Sequence, residues 1–546
     1  MTFRIFSPRE EACGTAVPAV ETQAGRLCHS LVATEGRALR LVPLCLAALG
    51  LAGGCAKVDP HHDYAQTAEY IEDATGQGSV FDPQNDEITA QQVHDLLQGG
   101  LTVDEAVRVC LLNNPSLRAL FMEVGMARAD VVQSGLFTNP SLNLAMQLPA
   151  GGGLANVQGG FASNIADLWQ IPIRKKIAAR ALDRTILEIA RQASDLAFDA
   201  RAAYYATVGA RKRHDIAREN LEIAKELLDL SVARQKAGAG NAIDVNLANS
   251  QVAQAELLRE SSRLAAANAA RQLATLLGMS TDADLLVLTD SLPAMPSSEP
   301  NPQALVRLAM RWRLDLRAAE QAVAAAEANL QQQYIRIFPN LQLGVSFERA
   351  ERQRQGGRHV FGDAARSSIA NGALTAPTIQ PRSERQRNKR RGVITGPSMS
   401  MVLPLFDQNQ AQIAKARYAY DQAVKTLEAL KLSATQGIRS AADQATTSWR
   451  IVRLYETRFI PLAKDNLDLS RKSYTAGRAS FLSVLEAQRF FLDSRRRAIE
   501  ASQAAANTIP ALERSVGRPF EELLRAIDSA SPTGDDTDAA GKGEGP

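Results

Sequence analysis

The feature that most constrains this chain is an internal repeat. Arg234, Gln235, Lys236, Ala237 and Gly238 lie 239 residues before a similar basic, glycine-ended run that closes on Tyr474, Thr475, Ala476 and Gly477. Each run opens a long helical pattern that closes on an aliphatic residue and a glycine, Leu277–Gly278 and Val516–Gly517, at the same offset. Upstream, Leu117, Arg118 and Ala119 match Leu316, Arg317 and Ala318 at an offset of 199. The second copy therefore carries about 40 extra residues between its early and late helices. They belong to the stretch Arg349–Arg391, which lacks helical periodicity and holds eleven Lys and Arg against three acidic residues. A chain built this way is two versions of one supersecondary plan.

The plan has three parts. Helical patterns cover about 102–136 and 302–337, each running into a proline signal, Pro140 and Pro339, where helices stop. Alternating segments follow, Ser141–Leu148 and Leu341–Phe347, with partners expected at about 161–171 and at Ser398–Leu403. Each pair reads as a β-hairpin, the first across the glycine-rich 150–160 and the second across the insertion. After Pro172 and Pro404 long helical stretches begin. The first, about 173–236, lacks proline and spans roughly 95 Å at about 1.5 Å per residue. Ile216, Ile223 and Leu230 recur every seven residues beside Leu227, as do Leu427, Ala434 and Ala441, giving coiled-coil seams. Hydrophobic residues make 45% of the chain and aromatics only 5%, a composition suited to alanine-lined helices at close range. The expected fold is mainly α: long coiled-coil hairpins plus four strands per protomer.

Four strands cannot close a barrel, and an open edge in lipid leaves backbone groups unsatisfied. Oligomerisation completes the barrel; three copies give about twelve strands, continued by a helical tunnel. Arg37 and Arg40 precede an apolar run from Leu41 to Ala52 that meets Gly53, Gly54 and Cys55. That is a secretory leader, 1–54, too short to span a bilayer comfortably. Small residues before Cys55 resemble a lipoprotein signal, with Cys55 as the lipidated first residue; Ala52 stands where that pattern prefers leucine. The other cysteines, Cys13, Cys28, Cys45 and Cys110, form no disulfide or metal framework. A net charge of +3 gives no argument for nucleic acid.

Several motifs are similar to those of the outer membrane efflux protein (TolC-like) family. Leu101–Val107, Asn113–Leu117 and Gly135–Pro140 resemble the entry to its first repeat; Arg313–Arg317, Gly396–Ser400, Leu403–Asn409 and Tyr474–Gly477 resemble its second. Phe406, Asp407, Gln408 and Asn409 resemble members serving cation efflux. The resemblance spans about 98–518. It implies a homotrimeric outer-membrane channel that passively conducts substrate from an inner-membrane pump and periplasmic adaptor, with its tip at the two helix reversals.

By that resemblance, the tip turns and adaptor contacts are Arg234, Lys236, Gly238, Asn241, Gly477 and Arg478. Asp244 is the candidate gate, since three carboxylates at a constriction favour cations. The second repeat has Ser483 in that place. The remaining expectations are an N-terminal periplasmic extension over 55–100, repeats over 101–280 and 301–518 separated by a linker at 281–300, an extracellular insertion over about 349–396, and a tail over 519–546, disordered from about 528. The six histidines form no ligand cluster, and no nucleophile or phosphate-loop motif is present, so neither an enzyme nor a metal or other cofactor beyond the lipid is expected. The alternative is a lipid-tethered periplasmic coiled-coil scaffold without a pore, which has no need of matched β-hairpins.

Overall fold

Alanine carries the helical architecture. In the computed structural model, Ala190, Ala193, Ala197 and Ala200 on one long helix, and Ala442, Ala445, Ala505 and Ala506 in the second repeat, are buried. A methyl side chain lets helices approach closely with no loss of rotamer freedom. The structure describes residues 56–83, 86–148, 156–280, 286–296, 299–336, 341–349 and 393–523. The chain divides into Met1–Lys57, of which residues 56–57 are described, and Val58–Pro546, which holds all that follows. The leader, Cys55, most of the basic insertion and the tail from 524 lie outside the described residues.

Two short helices, α1 (His61–Thr75) and α2 (Asp86–Gln98), precede the first repeat. That repeat runs α3 (Val103–Asn113), α4 (Pro115–Ser134), β1 (Ser141–Gln147), β2 (Asn156–Asn164), α5 (Asp167–Lys236) and α6 (Ala242–Leu276). The second runs α7 (Pro302–Trp312), α8 (Leu314–Ile335), β3 (Leu341–Arg349), β4 (Val393–Met401), α9 (Gln410–Leu454), a π-helical turn (Tyr455–Phe459), α10 (Ile460–Thr475) and α11 (Phe481–Val516). The α5 helix has 70 residues and so a length of about 105 Å.

Four expectations need correction. The early helix of each repeat is broken in two. Asn114 caps α4 through its side chain, with Pro115 at the first helical position, whereas Arg313 supplies an extended residue without a side-chain cap. The second strand is 156–164 rather than 161–171, because α5 begins at Asp167, ahead of Pro172. The buried Asp167 carboxylate holds that start by accepting from the Thr138 N–H at 2.6 Å and from Arg174 at 3.0 Å. The fourth strand starts at Val393, not Ser398; Gly396 and Pro397 lie inside it, and the protomer's edge strand tolerates the missing proline donor. Finally, the long helix after Pro404 is interrupted. Pro461 cannot donate to the Thr457 carbonyl four residues back, and the π-helical turn just before it pairs the Ile460 N–H with the Tyr455 carbonyl instead.

The sheet is antiparallel in the order β1-β2-β3-β4. Ser141 faces Ala162, Asn164 faces Gln342 and Leu341 faces Met401. The three largest packed regions among the described residues hold the helices. Ile71, Phe121, Ile186 and Ile189 join α1, α4 and α5; Leu101, Cys110, Tyr204 and Leu273 join α3, α5 and α6. Ile438, Trp449, Leu512 and Val516 join α9 and α11 with Leu305 of α7. The first seam forms as expected: Ile216 and Leu227 are buried, with Ile223 and Leu230 packed beside Leu227.

Candidate functional site: the sheet faces and the double turn

Strand register sorts the sheet into two chemically distinct faces. Leu142, Leu144 and Met146 fall in line with Val157 and Phe161, then with Leu343, Val345 and Phe347, then with Pro397, Met399 and Met401. The opposite face carries Asn143 and Gln147, Gln158 and Asn164, Gln342, Ser346 and Glu348, and Ser398 and Ser400, with Ile394 the single large apolar side chain there. Most of the apolar side chains stand in the open, Leu142 with 76% of its surface exposed. Gly159 leaves a notch for the Phe347 ring; a Cβ there would meet that ring at 2.4 Å. Three of the strands have nine residues, the length that crosses a hydrocarbon layer when tilted. Below the strands the apolar band continues in Phe137, Leu168, Leu403, Leu405 and Phe406, the last 93% exposed.

At the far end of the helices the two turns are near copies. Gly238 (φ +73°) and Gly477 (φ +71°) take the left-handed conformation that a side chain resists. Each N–H returns to the residue three back, Gln235 or Tyr474, and the next N–H returns to Arg234 or Ser473. Asn241 caps α6 by accepting from the Asp244 N–H at 2.9 Å, and Ser480 caps α11 by accepting from Ser483 at 3.4 Å.

The turns differ in what joins them. From α5, Arg234 Nη1 donates to the Tyr474 carbonyl, with the Thr475 carbonyl at 3.5 Å; Nη2 donates to its own turn at Ala239, 3.1 Å away. Its guanidinium also lies over the Tyr474 ring, 4.4 Å from the centroid. These carbonyls end α10, where the helix dipole favours a cation. Tyr474 in turn packs on Phe481 at 5.5 Å, in a small core with Leu227, Ala248, Val484 and Leu485. Burial pushes the Tyr474 phenol above its ordinary value and the Asp244 charge adds to this, while Arg234 opposes it. Arg234 thus contacts the tyrosine directly, and the Asp244 charge acts on it from nearby. Lys236, Asn241, Gly477 and Arg478 are exposed around the turns. Sequence reasoning missed Tyr474 as a member of this cluster. The signal was present, because Gln235 occupies the equivalent place in the first repeat.

Midway along the helices, Arg201 on α5 donates to both oxygens of Glu513 on α11, at 2.7 and 2.6 Å, and reaches Asp104 at 3.3 Å. The Phe520 N–H adds a bond to Glu513 at 2.9 Å. Glu513 is almost wholly buried, and burial raises its pKa against the pull of Arg201. Among the described residues no group of three or more His, Cys, Asp or Glu is placed to hold a metal ion, and no helix is long and apolar enough to cross a membrane.

Residues 305–518, essentially the second repeat, match the family "Outer membrane efflux protein". The cobalt-zinc-cadmium resistance protein CzcC of Cupriavidus metallidurans is 23% identical over 429 residues, covering 77% of this chain and 91% of that protein. Outer membrane protein OprJ of Pseudomonas aeruginosa is 25% identical over 442 residues, covering 76% and 84%. Among solved structures, the outer-membrane channel OprN superposes with a TM-score of 0.59 at 22% identity, covering 82% of this chain and 95% of that one. CusC gives 0.60 at 18%, covering 78% and 92%. The two-faced sheet, the long helical hairpins and these likenesses agree: the second repeat matches the outer membrane efflux protein family, and the chain is similar to members that include a cation-resistance protein.

Proposed function

We propose that the chain is one protomer of a homotrimeric outer-membrane conduit that passively carries substrate from an inner-membrane pump and a periplasmic adaptor to the outside. The observation that carries this reading is the two-faced sheet. Its apolar face suits hydrocarbon, its polar face suits a water-filled lumen, and among the described residues β1 and β4 each have one strand partner. Joining β4 of one copy to β1 of the next satisfies both edges, and three copies give a barrel of about twelve strands. The α5 helix, about 105 Å long, starts two residues beyond that sheet and ends at the turns, so one element runs from membrane to tip.

At the tip, Lys236, Gly238, Asn241, Gly477 and Arg478 offer the adaptor an exposed surface. Asp244, whose charge acts on Tyr474, and Arg234, which contacts it, form the gate: Arg234 holds the two hairpins together, and opening requires its bonds to break. Cys55 carries the lipid that tethers the chain to the outer membrane. The cargo is of the cation-efflux type, as the name of the similar CzcC suggests.

Single-channel recording in a planar bilayer, together with the mass of the detergent-solubilised particle, tests the proposal. A trimer with discrete openings is expected. A monomer that never conducts would instead identify a lipid-tethered scaffold.

A further inference from the structure

We infer that Glu348 sets the ionic preference of the outlet, making the membrane-crossing lumen selective for cations; the inference rests on the trimeric pore proposed above. Its basis is the register. Across the polar face, the described strand residues are amides, hydroxyls, glycines, alanines and the one isoleucine, with Glu348 the only charged side chain among them. Glu348 lies one residue before the described end of β3, opposite Ile394 on one side and Gln158 on the other. The Gln158 amide donates to its carboxylate at 3.1 Å across the β2–β3 pair, so the charge is held against the wall by a neutral partner. Its neighbour in sequence, Arg349, falls on the apolar face with Val157, as strand alternation requires. The basic residue beside it therefore points away from the lumen.

Three copies place three carboxylates at one level of a water-filled tube with low-dielectric walls. Charge of one sign in such a tube focuses the field, concentrates counter-ions and excludes co-ions. The neutral amides and hydroxyls along the rest of the wall keep it wet without competing for the permeant ion. The cargo class that fits is a hydrated cation or a molecule of net positive charge. The same physics sets the salt dependence. At about 0.01 M salt the Debye length is roughly 30 Å and the ring's field fills the lumen, whereas at about 1 M it is roughly 3 Å and the field is confined to the wall.

Two measurements test this. In planar bilayers under a dilute potassium chloride gradient, the reversal potential gives the cation-to-anion permeability ratio. The wild type is expected to prefer cations, Glu348→Gln to lower the ratio by at least about twofold, and Glu348→Lys to lower it further, with the differences fading in molar salt. Arg349→Gln, on the opposite face, should leave it unchanged. A ratio that Glu348→Gln does not alter, or that Arg349→Gln alters equally, overturns the inference while the conduit stands. Absence of any trimeric pore removes the reading beneath it.

The second measurement is independent of the tip. A cysteine introduced as Ser346→Cys, two residues away on the same face, is labelled in whole cells with cationic and anionic methanethiosulfonates. The cationic reagent should react faster, and Glu348→Gln should shrink that advantage. Equal rates in both backgrounds overturn the inference.

Discussion

Replacing Arg234 by alanine tests the gate directly. The substitution removes the charge-assisted donor to the Tyr474 carbonyl, the donor to Ala239 at 3.1 Å and the guanidinium over the Tyr474 ring at 4.4 Å. A hydrogen bond from a charged donor contributes about 1.5–3 kcal/mol and a partly exposed cation–π contact about 0.5–1 kcal/mol. The bond to Ala239 stays within the first turn, so only the contacts to the second hairpin hold the hairpins together. Because Arg234 is half-buried, the lower ends apply, and their sum is about 2 kcal/mol per protomer. That corresponds to about a 30-fold shift of each closed–open equilibrium. In the proposed trimer, open probability in a planar bilayer should rise by at least that factor, since all three protomers lose the bond. Arg234→Lys keeps the charge at the helix end but not the fork, and should fall between. Channels of Arg234→Ala that open no more often than wild type, in trimers of normal thermal stability, would refute the latch.

Tyr474→Phe removes a buried hydroxyl that has no hydrogen-bond partner among the described residues, so stability at neutral pH should stay within about 1 kcal/mol of wild type by chemical denaturation. The wild-type phenol titrates above its ordinary value in the folded tip, so stability is complete below about pH 10 and declines as pH rises through the raised pKa; Tyr474→Phe should flatten that alkaline decline. Arg201→Ala strands the buried Glu513 carboxylate and should cost about 3–5 kcal/mol, read as a lower thermal midpoint, whereas Arg201→Met with Glu513→Leu should recover much of the loss. Cys110 is buried and burial pushes its thiol up to about 12, so maleimide should label it only after unfolding; labelling of the native protein would contradict the packing of α3 on α5.

How legible each part was in the sequence follows from how local its cause is. The turns were readable because Gly238 and Gly477 each determine a backbone conformation by themselves. The break at Asn114 had a local signal in Pro115, but the one at Arg313 had none. Arg313 is held by Asp315 two residues on, at 2.9 Å, and by the Ser515 carbonyl far along the chain, at 2.7 Å. Strand ends were less legible. Gly396 and Pro397 lie inside β4 because residue-by-residue pairing with β3 outweighs their local preference. The Arg234–Tyr474 contact joins residues 240 apart, and the Glu348–Gln158 bond residues 190 apart. Neither pairing could be read until the hairpins were laid side by side.

The sheet has a consequence for how the protein comes into being. Among the described residues its two outer edges have no strand neighbour, and its apolar face, with Leu142 and Met399 in the open, has no cover from the helices. Such a surface in water is a template for aggregation. Folding of a lone chain in an aqueous compartment therefore has no satisfactory endpoint, however well the helices pack. Edge pairing and transfer into lipid each remove a hazard the other leaves, so the two should be coupled. The slow, vulnerable stage in the life of this protein is then its transit, when the strands exist and their solvent does not.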